Sequence, residues 1–272
     1  MQTRNSDRCT IFVDCCAYSM IPSVSKHVAA WRFQAKTFLS TRPSLYFPLY
    51  RRKQNHSGLL VTRETDLCVD GYPRSANSFA TSAIQAAQQS EPISIAHHTH
   101  VAANLMQACE WGVPAVMLIR APKDAIVSFT ALRQEVMSRE QGQNEPIPFL
   151  PFAIQVDAWI AFYQSLLPYR DQLVIAPFPA VVSDMGAVIN AINGKYETDF
   201  TRFEHTEDNV AAVHARRGYH AGPSEHRAQI KRDTKEVFQT EVREHPDLQE
   251  RLEYAVALYE KWERLSMLPA RS

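Results

Sequence analysis

Between positions 59 and 178 four short apolar runs alternate with stretches of helical spacing, and this alternation limits the folds open to the chain. The runs over 66–72, 93–97, 115–120 and 173–178 are predicted to be buried strands. Between the first and second lies an Ala- and Gln-rich helix over 78–89. A helix over 101–111 stops at Gly112, with Pro114 two residues on. Another over 122–136 opens with Pro122 in its first turn, where proline's missing N–H costs nothing. Phe152, Val156, Trp159, Tyr163 and Leu166 recur at helical spacing and mark a long packed helix. Strands alternating with helices predict an α/β fold, a central parallel sheet flanked by helices on both faces. Beyond the fourth strand the pattern is helical, over 181–196, 224–240 and 247–266, giving a helical C-terminal part. In the last of these Leu248, Leu252, Ala255, Tyr259 and Trp262 step four-three-four-three, as expected of a helix lying on the domain.

Charge gives no global direction, since 29 Lys and Arg balance 29 Asp and Glu over 272 residues. No field favours nucleic acid or membrane as a partner. The distribution is uneven, however. Residues 1–60 carry nine basic side chains against two acidic ones, a net +7, which leaves about −7 for the rest. An anion site in that acidic body has to be built from a few well-placed donors. Periodicity in 1–60 is weak, and Arg51, Arg52 and Lys53 run into a polar stretch that reads as a linker. The expectation is an N-terminal extension over 1–60, partly irregular and draped over the α/β domain of 61–272. The five cysteines show no paired spacing, so neither a disulfide framework nor a zinc site is expected. The apolar stretch 11–21 is broken by Asp14 and preceded by Asp7, which argues against a signal peptide. No stretch approaches the ~20 apolar residues of a membrane span. The expected compartment is the cytoplasm, with homo-oligomerisation left open.

In an open parallel sheet, ligands sit beyond the carboxyl ends of the strands. The first such end reads Gly71-Tyr72-Pro73-Arg74-Ser75-Ala76-Asn77-Ser78. A strand, a tight turn and a helix start present unpaired backbone N–H groups to an anion. Against the phosphate loop G-x-x-x-x-G-K-[ST], Gly71 and Ser78 fit, but Ala76 replaces the second glycine and Asn77 the lysine. Loss of that lysine argues against nucleoside-triphosphate hydrolysis; the cation here is Arg74. The third strand ends in Arg120-Ala121-Pro122-Lys123-Asp124, with Ser128 eight residues after the Arg. A guanidinium and a hydroxyl in that arrangement suit a second phosphate.

The two segments together, Pro73-Arg74-Ser75-Ala76-Asn77-Ser78-Phe79 and Arg120-x-Pro-x-Asp with Ser128, resemble the nucleotide-binding signatures of the sulfotransferases that use 3'-phosphoadenosine 5'-phosphosulfate (PAPS). Arg74 and Arg120 stand 46 positions apart. Three further segments are similar to that family: His98-Thr99-His100, Leu167-Pro168-Tyr169-Arg170, and Arg216-Arg217-Gly218 near the C-terminus. The likeness covers roughly 66–262. It implies a P-loop-like single domain and sulfuryl transfer from PAPS to a hydroxyl or amine of a small acceptor, a carbohydrate, a secondary metabolite or a phenol, with no metal. On that resemblance His100 is the general base, with His98 as the fallback, and Arg74 stabilises the transferring group. Ser75, Ala76, Asn77 and Ser78 hold the 5'-phosphate. Arg120, Ser128, Arg216, Arg217 and Gly218 hold the 3'-phosphate, and Phe79 and Phe178 flank the adenine. Ala76 departs from a glycine, so the turn there either avoids φ > 0 or accepts strain. The alternatives are a P-loop-type phosphotransferase or kinase, and a nucleotide-binding protein without turnover.

Overall fold

The computed structural model describes residues 25–52, 58–141, 150–217 and 225–268. Strands β1 (Leu67–Gly71), β2 (Ile95–His97), β3 (Ala115–Ile119) and β4 (Val174–Pro177) form one parallel sheet in the order β2-β1-β3-β4. Period-two alternation along each strand sorts its side chains between two cores. Leu67, Val69, Val116, Leu118, Val174 and Ala176 face one way, where they meet helices α3 (Asn77–Ala87), α7 (Phe178–Ser183) and α8 (Met185–Tyr196). Cys68, Ala115, Met117, Ile119, Leu173 and Ile175 face the other way. There they are covered by α4 (Ala102–Trp111), α5 (Pro122–Gln141), α6 (Phe152–Ser165) and α11 (Pro246–Leu265). The expected α/β class, with a parallel sheet between two helical layers and a helical C-terminal part, is the fold observed.

The connection order creates the functional geometry. The chain leaves β1, returns as β2 on one side of it, then crosses to form β3 on the other side. Loops after β1 and β3 therefore lead to opposite faces of the sheet, which makes their carboxyl ends the topological switch point where doubly wound sheets take ligands. Parallel pairing carries Gly71 opposite Leu118, which sets the two loop starts side by side.

Where it is described, the stretch before the domain forms α1 (Ser25–Ser40) and α2 (Pro43–Tyr50). Tyr46 and Phe47 are buried in the same core as the sheet, and Phe33 lies 6.4 Å from Phe129. Pro43 in the first turn and Pro48 inside α2 obscured the periodicity that would have marked these helices. The single helix expected over 181–196 is two, α7 and α8, broken at Asp184, whose carboxylate accepts the Ala187 N–H and caps α8. Arg216 and Arg217 end a helix, α9 (Glu207–Arg217). The remaining long helix, α10 (Glu225–Glu244), packs on α5, with the Thr234 hydroxyl donating to Gln134 at 3.2 Å. Among the described residues no helix is long and apolar enough to cross a membrane.

Gly71 marks where this packing is tightest. A Cβ there would lie 2.3 Å from the Leu118 carbonyl oxygen and 2.9 Å from its Cβ. Backbone on the neighbouring strand cannot give way as a flexible side chain would. Gly71→Ala is expected to cost about 1–3 kcal/mol, read as a lower urea midpoint with an unchanged slope.

Candidate functional site

Asp70 is fully buried near the end of an apolar strand, and four donors close on it. Its Oδ1 accepts the backbone N–H of Gly71 at 2.9 Å and of His100 at 3.0 Å. Its Oδ2 accepts the Thr99 N–H at 3.0 Å and the Thr99 hydroxyl. The carboxylate thus fastens the tip of β1 to the loop after β2. Burial pushes its pKa up, against the opposing pull of His100 and of these hydrogen bonds. Sequence reasoning assigned Asp70 no role; the signal was a lone acid inside an apolar run.

Both loops so joined hold side-chain-bearing residues in the left-handed region. Arg74 and Ala76 stand at φ 71° and 70° after β1, and His98 and His100 at 58° and 54° after β2. Ala76 takes the strained alternative, in a conformation that glycine would adopt without cost. Strain of order 1–3 kcal/mol per residue persists only where surrounding contacts over-determine the backbone. Here those contacts are identifiable. Tyr163 on α6 donates its hydroxyl to the Leu118 carbonyl at 2.9 Å, accepts the Tyr72 N–H at 3.2 Å and meets Ser75 Oγ at 3.3 Å. The Asn77 side-chain amide donates to the Tyr72 carbonyl at 3.2 Å. Ser75 and Asn77 therefore turn their side chains inward and leave their loop to face outward with backbone. The first bond of α3 runs from the Ala80 N–H to the Ala76 carbonyl, with no side-chain cap ahead of it. The N–H groups of Asn77, Ser78 and Phe79 consequently project from the helix end, where the helix dipole favours an anion.

Across the crevice, Arg120 follows β3 and aims back at this turn. Its guanidinium donates to the Arg74 carbonyl at 3.1 Å and lies 4.0 Å from the centroid of the Phe178 ring. Trp159 Nε1 holds the Arg120 carbonyl at 3.2 Å. Arg74 Nε donates to Ser128 Oγ at 3.0 Å. Arg74, Arg120, Ser128 and Phe178 are thus brought together from two loops and two helices. Burial lowers the Arg120 pKa, with Asp124 opposing. Lys231 of α10, which no motif singled out, is near enough to feel the same charges: burial lowers its pKa, Arg120 and Arg74 add to that, and Asp124 opposes. Three cations with Asp124 beside them make a locally positive cluster, a setting that favours an anionic ligand.

The three histidines divide by their partners. His98 Nε2 is hydrogen-bonded to Ser78 Oγ at 3.0 Å, and its Nδ1 lies 2.6 Å from His97 Nδ1, so both of its ring nitrogens are engaged. His100 Nδ1 donates to the Gly71 carbonyl at 2.9 Å. That bond fixes the tautomer and leaves Nε2 with its lone pair and no hydrogen-bond partner among the described residues. The ring stays 21% exposed. Burial lowers its pKa, while Asp70, at 3.9 Å, pulls it up. His100 opens on a cavity of about 40 Å³ lined by Phe33, Lys36, Thr37 and Ser40 of α1, with Tyr72, Phe129 and Phe162 behind them. Among the described residues no group of three or more His, Cys, Asp or Glu is arranged to hold a metal ion.

Phe79 does not stand alone over an open crevice. His214 of α9 stacks on it at 5.6 Å and 28°, with Phe203 and His205 at its edges. Arg216 and Arg217 close α9, their side chains lying, with Gly218, outside what the structure describes. Compared with family models, curated proteins and solved structures, the chain matches none of them. The functional reading therefore rests on the residues themselves.

Two substitutions test this architecture. Asp70→Asn turns an amide donor toward backbone N–H groups and is expected to cost roughly 3 kcal/mol or more in urea unfolding. Ala76→Gly removes the left-handed strain and is expected to raise stability by about 0.5–1 kcal/mol, after the extra chain entropy of glycine is subtracted. A neutral Asp70→Asn would mean the carboxylate does not organise the loops.

Proposed function

We propose that the protein is a sulfotransferase that moves a sulfuryl group from PAPS to a hydroxyl or amine of a small acceptor. The observation that carries this reading is the convergence of Arg74 and Arg120 beside the open N–H end of α3, at the crevice between β1 and β3. A nucleotide phosphorylated at both ends needs two anion sites a few ångströms apart on one rigid edge, and the arrangement offers them. The helix end and Arg74 take the 5' side. Arg120, Ser128 and Lys231 take the 3'-phosphate, with Phe178 beside the base.

The chemistry then follows from loose, in-line group transfer, in which the protein chiefly positions groups and stabilises charge. His100 Nε2 accepts the acceptor's proton as its oxygen or nitrogen bonds to sulfur. The bond from sulfur to the bridging oxygen breaks, and its electron pair leaves on the 5'-phosphate, where Arg74 and the helix end stabilise the charge. His98, with both nitrogens occupied, is the weaker candidate for base. The cavity at His100 is far below the roughly 300 Å³ of an ordinary ligand site, so as it stands it does not enclose an acceptor. Its mixture of rings with Thr37, Ser40 and Lys36 suits a phenol or a sugar face.

Calorimetry with 3'-phosphoadenosine 5'-phosphate against ADP tests the nucleotide. The expected result is a clear preference for the first, reduced roughly tenfold to a hundredfold by Arg120→Ala while ADP binding changes little. Equal affinity of the parent protein for the two would overturn the reading. His100→Ala is expected to lower turnover by roughly 10²-fold or more while retaining nucleotide binding. Because burial lowers the His100 pKa, its base form persists below the usual histidine range. The rate should therefore stay flat through neutral pH and fall only on acidification past that range.

A further inference from the structure

Helix α1 has two unlike faces. The inner one sets Phe33, Thr37 and Ser40 over the His100 cavity. The outer one carries Val28, Trp31 and Phe38, whose spacing by three and seven puts them on one side of the helix. These residues remain 44%, 68% and 53% exposed. Leu45 and Leu49, four apart on α2, are 44% and 55% exposed. Large apolar groups so concentrated on two consecutive helices mark an interaction surface rather than scattered surface residues.

Charge identifies the partner. Between Asp14 and Glu64 the sequence holds no acidic residue and eight Lys and Arg, in a protein whose formal net charge is zero. Arg32, Arg42, Arg51, Arg52 and Arg63 are exposed in this stretch, Arg51 and Arg63 lying over the Trp111 ring of α4. The Arg42 guanidinium lies 3.6 Å from the centroid of the Phe38 ring, its charged head riding on an apolar group. A second copy of the chain would bring this cationic surface against itself, since a two-fold contact pairs like with like. A single-stranded nucleic acid would use the rings and the arginines, but Val28, Leu45 and Leu49 have no π-face on which a base could stack. Aromatic and aliphatic side chains mixed with arginines fit a layer of phosphate headgroups over hydrocarbon.

We propose that the outer surface of α1 and α2 docks on an anionic phospholipid bilayer, with Trp31, Phe38 and the neighbouring aliphatic side chains entering the headgroup layer and the arginines pairing with lipid phosphates. This inference stands on the first two helices and is independent of the nucleotide reading.

Sedimentation of the full chain with vesicles tests it, using phosphatidylcholine alone and phosphatidylcholine mixed with phosphatidylglycerol. Binding is expected to the mixed vesicles, to weaken as salt is raised, and to fall roughly tenfold in the Trp31→Ala/Phe38→Ala variant. Both positions are exposed, so that variant should keep the parent melting temperature. The Trp emission should shift to the blue on vesicle binding in the parent and not in the variant. No sedimentation with mixed vesicles, or equal sedimentation of parent and variant, would overturn the proposal. So would a vesicle-indifferent parent whose dimerisation by light scattering, or whose binding of a labelled single-stranded oligonucleotide, is lost in the variant; those outcomes assign the surface to a second copy or to nucleic acid.

Discussion

The carboxylate of Asp70 is the point on which the rest of the site turns. Burying a charged carboxylate costs several kcal/mol, and four hydrogen bonds of roughly 1.5–3 kcal/mol each offset that cost. Three of the donors are backbone N–H groups, one at the end of β1 and two in the loop after β2. Once those are fixed, His98 and His100 have little choice of backbone and take up left-handed conformations that sequence would not favour. On the other side of β1, the Tyr163 hydroxyl does the corresponding work for the turn at 72–76, tying it to β3. Strain at Arg74, Ala76, His98 and His100 is thus held by buried polar contacts from beneath, and the outward-facing groups are left preorganised.

Preorganisation matters because the chain has no charge excess to spend. With a formal net charge of zero, anion affinity arises only where topology concentrates cations and withholds carboxylates. The crossover between β1 and β3 brings Arg74 and Arg120 to one edge, and Lys231 of α10 comes near enough for their charges to act on it, with Asp124 as the opposing carboxylate. The stretch that holds the first two helices is likewise basic in a protein of zero formal net charge, with no acidic residue between Asp14 and Glu64. His100 lies between the two regions. Its Nδ1 is tied to Gly71, and its ring opens on a cavity roofed by α1.

Much of the architecture was legible because it follows from local periodicity. Apolar runs bounded by turn residues located all four strands, and Gly112, Pro114 and Pro122 marked helix ends. What failed had local causes as well. Pro43 and Pro48 masked α2, and Asp184, a residue that caps as readily as it continues a helix, split a stretch read as one. In the site, the residues that motif spacing picked out from the strand ends, Arg74, Arg120 and Ser128, do converge. Those it missed, Asp70, Tyr163 and Lys231, act from within the core or from a helix more than a hundred residues away, where no spacing rule reaches.

The sequence by itself determined the α/β alternation, the positions of the strand ends and the chemical types presented there, because side-chain periodicity and turn chemistry are properties of neighbouring residues. Only the tertiary structure decided which strand ends adjoin, which histidine nitrogen has no hydrogen-bond partner among the described residues, and that α1 covers the cavity with one face while exposing Trp31 and Phe38 on the other. Those outcomes depend on crossover direction and on hydrogen bonds between residues far apart in the chain, and such contacts exist only once the two cores have closed on the sheet.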